Sequence, residues 1–147
     1  MTCKLVMTLI SEHQVGECGE DWKYKLDVQV FHEGLKGEGK VSVPKHNLVA
    51  GVVKEPHGSP EPVLVFKGEC LTELLVKLQL TATEVDLFVN DVGKVSKEIT
   101  IECPGPHGDK VTKEIDIAAA VREAPAILNK NSVFTVRVRF TLTCDKV

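Results

Sequence analysis

From Phe134 to Cys144 the chain alternates without a break. Phe134, Val136, Val138, Phe140, Leu142 and Cys144 share one parity, and Thr135, Arg137, Arg139, Thr141 and Thr143 share the other. A period of two belongs to an extended strand with one buried and one solvated face, so the even-numbered side chains here require a second layer. A similar pattern begins at Trp22, where Trp22, Tyr24, Leu26, Val28 and Val30 alternate with Lys23, Lys25, Asp27 and Gln29. Its aromatic start should anchor one end of the core.

The rest of the chain reads as shorter strands separated by turn chemistry. A first strand over residues 4–10 runs into a glycine- and acid-rich loop at 11–21. After a glycine-rich turn at 32–39, a short strand at 40–43 is halted by Pro44, which suggests an edge. Residues 44–62 carry Pro56, Pro60 and Pro62 and form the longest connection. Val63–Phe66 is a short apolar strand. Residues 71–80 fit a helix through Leu71, Leu74, Leu75 and Leu78 and a strand through Leu74, Val76, Leu78 and Leu80; the strand is favoured. Thr81–Glu84 reads as a turn, 85–89 as an imperfect strand, and Asn90–Gly93 as a tight hairpin connection. Strands at 95–103 and 111–117 flank a proline-braced turn at 104–110. Ala118–Glu123 is built of good helix formers and ends near Pro125, so a short helix is expected near 118–124.

This inventory predicts an all-β fold, an antiparallel β-sandwich of eight to nine strands with one short helix, because turn signals recur about every 8–12 residues. The 147 residues match one domain spanning 1–147. An immunoglobulin domain in the strict sense is not indicated, since Trp22 lacks cysteines at the spacing of that fold. An internal echo is visible: Gly39-Lys-Val-Ser42 recurs as Gly93-Lys-Val-Ser96, and Pro-His-Gly occurs at 56–58 and 106–108.

Composition narrows the partners. The chain is 43% apolar and 27% charged with a formal charge of −3, values of an ordinary globular protein. There is no basic run to attract nucleic acid or anionic lipid. No stretch approaches the roughly 20 apolar residues of a membrane span, and the run from Leu5 to Ile10 is too short for the apolar core of a signal peptide. Five cysteines with no CxxC pair make neither a zinc ribbon nor a complete disulfide framework. Cys3, Cys103 and Cys144 fall on inward parities and read as small buried hydrophobes. A reducing, cytoplasmic setting is the simpler expectation, with Cys18, between Gly16 and Gly19, the thiol on a flexible loop.

If each strand reverses the last, connections alternate between the two ends of the sandwich. That rule places 11–21, 44–62, 81–84 and 104–110 at one end, with His13, His46, His57, His107, Cys18, Cys103 and Cys144, and His32 at the other. Long loops on a rigid scaffold commonly carry binding residues. The favoured reading is therefore a non-enzymatic interaction or assembly module, without a cofactor, that contacts another protein or a second copy through this loop end or a sheet face. Were the last strand an edge, its Thr/Arg face would suit pairing into a homo-oligomer. The first alternative is a zinc or copper site built from His57 and His107, each inside Pro-His-Gly, completed by His13 or Cys18. Calcium is disfavoured, since Glu12, Glu17, Glu20, Asp21 and Asp109 include no closely spaced aspartate set. The last alternative is a small enzyme, for which Cys18 near His13 is the best available nucleophile and base. No nucleophile elbow is present, and Gly34–Gly39 lacks the spacing and following helix of a phosphate loop.

Overall fold

Strands that each bury one face are satisfied when two sheets stack face to face. The computed structural model, which describes residues 2–87, 89–105, 110–123 and 130–145, has this arrangement. Its eight strands are β1 (Thr2–Gly16), β2 (Asp21–His32), β3 (Leu35–Asn47), β4 (Val63–Glu69), β5 (Glu73–Glu84), β6 (Asp91–Glu102), β7 (Lys110–Arg122) and β8 (Asn131–Cys144). They form two antiparallel sheets, β4-β1-β8-β7 and β3-β2-β5-β6, and their inner faces enclose one hydrophobic core. Among the described residues no helix is long and apolar enough to cross a membrane.

β8 lies between β1 and β7, and its even-numbered side chains from Phe134 to Cys144 are buried, as alternation predicts. Both of its backbone edges are therefore occupied, and the expected homo-oligomer through an exposed β8 edge is not available to it. Its outward arginines instead pair across the sheet: Arg137 with Asp116 at 2.9 Å and Arg139 with Glu114 at 3.4 Å, each directly opposite in register. Trp22 and Tyr24 of β2 meet Phe134 of β8 across the sandwich at ring separations of 5.1 and 5.0 Å. The aromatic start of β2 thus joins the two sheets.

Two assignments are corrected. Residues 118–122 are strand, because each pairs with β8 from Thr135 to Asn131, burying Ala119 and Val121 and leaving Ala118 and Ala120 outward. The helix propensity of alanine, a few tenths of a kcal/mol per residue, yields to a complete ladder; residue 124 lies outside the described residues. Thr81–Glu84 is also strand, the end of β5, paired with both Trp22–Lys25 and Asp91–Lys94. The connection 85–90 then replaces the ninth strand, and every later connection changes ends.

Two bulges redirect β1 and β3. β1 does not stop at Ile10. Its register shifts between Leu9 and Ser11, so the inward set passes from Leu5, Met7 and Leu9 to Glu12 and Gln14, which are 1% and 0% exposed. β3 likewise runs past Pro44. Its register shifts opposite Trp22–Tyr24, and the inward set passes from Val41 and Val43 to His46 and Leu48. Pro44 does mark an edge strand, as its missing N–H requires.

The sheet edges close on each other, which explains the repeated Gly-Lys-Val-Ser motif. A Cβ at Gly39 of β3 would press on Val63 and Val65 of β4, and one at Gly93 of β6 would collide with the Ala120 carbonyl of β7. Both glycines stand where an edge strand of one sheet meets an edge strand of the other. Lys97 of β6 donates to the Asp116 carbonyl at 2.9 Å, and Lys113 of β7 to the Thr100 carbonyl at 3.0 Å. These bonds occupy edge groups that would otherwise template aggregation. A shared packing demand accounts for the two glycines of the Gly-Lys-Val-Ser echo.

The inward cysteines are paired, a second departure from the sequence reading. Cys3 joins Cys144, and Cys70 joins Cys103, leaving Cys18 as the free cysteine. Parity correctly marked Cys3, Cys103 and Cys144 as inward, but spacing along the chain did not reveal the partners. Mass mapping after treatment with a thiol reagent should find label on Cys18 alone in the native protein, and on the other four only after reduction. Reduction should lower stability by about 2–5 kcal/mol in denaturant melts; label on Cys3 or Cys70 before reduction would contradict the pairing.

Candidate functional site

Strand direction gives the sandwich two unlike ends. The connections at 33–34 and 70–72 and the chain leaving β6 at 103–105 share one end with both disulfides. His32 reinforces it: Nδ1 donates to the Glu73 carbonyl at 2.8 Å, and Nε2 accepts from the Leu71 N–H at 3.0 Å. We call this the stapled end. The opposite, open end gathers 17–20, 48–62, 85–90 and the connection after Arg122. His107 lies outside the described residues, and the strands that flank it, β6 and β7, terminate at the stapled end. Loop 104–110 therefore leaves the grouping expected for it, as do Cys103 and Cys144.

At the open end the inward row of the second sheet reads His46, Trp22, Glu84, Asp91 across β3, β2, β5 and β6. Trp22 divides two polar groups. On the β3 side, His46 Nδ1 lies 2.8 Å from the Pro44 carbonyl, which can only accept, so Nδ1 carries a hydrogen. Nε2 lies 2.6 Å from Glu12 Oε1. This buried side-chain contact ties β1 to β3.

Segment 48–57 is sealed over this pair. Glu12 and Lys54 exchange backbone bonds of 2.8 and 3.0 Å, Gly51 N–H donates to the Gln14 carbonyl at 2.8 Å, and Gln14 Nε2 donates to the Leu48 carbonyl at 2.8 Å. His57 stacks on His46 at 4.5 Å with nearly parallel rings. Gln14 Oε1 remains buried without a hydrogen-bond partner, and the Tyr24 hydroxyl stands against the Glu12 carboxyl. Burial, and after it the Glu12 charge, pushes the Tyr24 phenol well above its ordinary range.

On the β5–β6 side the groups are acidic. Glu84 is 5% exposed and Asp91 1%, and Oε2 of Glu84 and Oε2 of Glu123 are buried without a hydrogen-bond partner. Burial pushes the Glu84 carboxyl from its ordinary 4.5 up to about 7, helped by the charges of Asp86, Asp91, Asp21 and Glu123. Cys18 borders the same cluster. Its N–H donates to Ser132 Oγ at 3.0 Å and its thiol to the Val121 carbonyl at 3.5 Å. Burial, and then Asp91, Glu123 and Glu84, raise the thiol pKa, the direction opposite to that of an activated nucleophile.

Of the proposed metal ligands, the three within the described residues, His13, His57 and Cys18, do not converge. His13 faces outward between the inward Glu12 and Gln14, His57 lies against His46, and Cys18 is across Trp22 from both. Among the described residues no three His, Cys, Asp or Glu side chains form a group able to hold a metal ion. Sequence reasoning missed Glu12, Gln14, Glu84 and Asp91. Glu84 was within reach, since it shares parity with Leu74, Val76, Leu78 and Leu80 in one unbroken strand. Compared with known proteins, the chain matches no family model, and no curated protein is significantly similar to it.

A raised carboxyl makes a signed prediction. Between about pH 4.5 and 7 the folded state holds a Glu84 proton that the unfolded chain releases, so this contribution to stability fades as pH rises through about 7. Glu84→Gln cannot ionise. Its melting temperature relative to wild type should climb by a few degrees between about pH 5 and about pH 8, and a pH-independent difference in calorimetry would reject the raised carboxyl.

Proposed function

We propose that this protein is a non-enzymatic interaction module that contacts another protein through its open end. The observation that carries this reading is the distribution of exposed apolar side chains. Eight of the eleven large ones among the described residues belong to this end: Val15 and Val133, then Val49, Val52 and Val53, then Leu87, Val89 and Val92. Val15 and Val133 are directly opposed on β1 and β8, and the backbone bond from Gly51 to Gln14 places the valines of 48–53 beside them. Exposed apolar groups concentrated at one end of the sandwich suit a protein-binding surface.

The reading keeps the loops at 11–21 and 44–62 and takes 85–90 in place of 104–110. Two disulfides persist where the surroundings are oxidising, and this reading assigns the protein to such a setting in place of the cytoplasm. Val15→Asp with Val133→Asp places two charges on the outer surface without touching the core. In affinity capture from the source material, the wild type should retain partner proteins that the double variant loses, while both melt within a few degrees of each other. Identical captured sets would overturn the reading.

A further inference from the structure

The open end is unusual in holding two kinds of uncompensated surface next to each other. Connection 85–90 is braced from within, Asp86 N–H donating to Asn90 Oδ1 at 3.2 Å and Leu87 N–H to Asp86 Oδ1 at 2.7 Å. It presents Leu87 at 91% exposure, with Val89 and Val92 alongside at 44% and 51%. Immediately inside it stand Glu84 and Asp91, joined by the register of β5 and β6, with Asp21, Asp86 and Glu123 close enough to act on Glu84. Glu84 is more than nine-tenths buried and its Oε2 has no hydrogen-bond partner.

An anion in this state is stabilised by a cation brought to it, and the exposed leucine and valines are stabilised by apolar cover. One kind of partner supplies both. Building on the protein-binding reading above, we infer that the open end receives a segment of another protein bearing lysine or arginine among aliphatic side chains, its cations over the Glu84, Asp91 and Glu123 cluster and its aliphatic groups on Leu87, Val89 and Val92. Complementary charge fixes the register of such a contact, while the apolar contacts supply much of its affinity.

The binding is coupled to a proton. With Glu84 near 7 in the free protein, a cation held at the cluster favours the ionised form, so affinity falls as pH drops through 7. The groups that face Glu84 are Asp21 on β2, Asp86 on the 85–90 connection, Asp91 on β6, Glu123 after β7 and Cys18 on the 17–20 turn. The four carboxylates are negative and push Glu84 further up, while the Cys18 thiol, its own pKa raised, stays neutral.

The test uses the full chain, labelled for NMR, and two short synthetic peptides, one alternating lysine with leucine and one alternating glutamate with leucine. The lysine peptide should shift the amides of Leu87, Val89 and Val92, and its affinity should weaken by about tenfold from pH 8 to pH 6. Glu84→Gln should remove most of that pH dependence. Glu123→Gln, at the less buried rim of the cluster, should weaken binding at pH 8 and serves the same purpose if Glu84→Gln fails to fold. Equal binding of the glutamate peptide at the same amides would overturn the cationic specificity while leaving an apolar docking end. No shift at these amides, or shifts confined to another surface, would overturn the inference, and the Val15 and Val133 capture experiment would still judge the wider reading.

Discussion

A strand offers alternate residues to the core, and the organisation of this molecule depends on two places where that alternation is broken. Without the shift after Leu9, Glu12 and Gln14 would lie on the solvent face of β1; without the shift at Pro44, His46 would point away from them. Each bulge inserts a residue and re-aims the side chains beyond it. Because both occur near the same end, a carboxyl and an imidazole arrive 2.6 Å apart under a sealed segment. Trp22, paired with His46 on one side and Glu84 on the other, then keeps this group apart from the acidic one.

The consequence is a sandwich whose ends differ in energy. At the stapled end two disulfides tie strands together and both ring nitrogens of His32 are hydrogen-bonded. At the open end buried oxygens of Gln14, Glu84 and Glu123 lack hydrogen-bond partners, each such group costing about 1–3 kcal/mol. The aromatic bridge of Trp22 and Tyr24 to Phe134 lies directly beneath and offsets part of this. Proteins that keep destabilising groups in one region commonly do so where they bind or react. The exposed valines and Leu87 occupy that same region.

Much of the architecture was legible. Alternation identified β2 and β8 and the parity of their buried faces, and the strand choice over 71–80 holds as part of β5. Pro44 signalled an edge strand. The failures have specific physical causes. A bulge leaves no mark in a hydrophobic pattern when the residues it turns inward are polar, so Glu12 and His46 read as loop. Ala118–Ala120 favours helix locally and was decided by its neighbour β8. Counting Val85–Val89 as a strand displaced every later connection to the wrong end, and with them Cys103 and Cys144. Disulfide partners depend on that topology and were out of reach.

The open end holds the Glu84 carboxyl at a cost to folding, and that cost is what the proposed partner would relieve. Carbon-detected NMR of the Glu84 side-chain carboxyl across a pH titration of the intact, partner-free protein measures this directly. A raised carboxyl gives a midpoint near 7. A midpoint near the ordinary 4.5 would show that Glu84 is already compensated, and would contradict it.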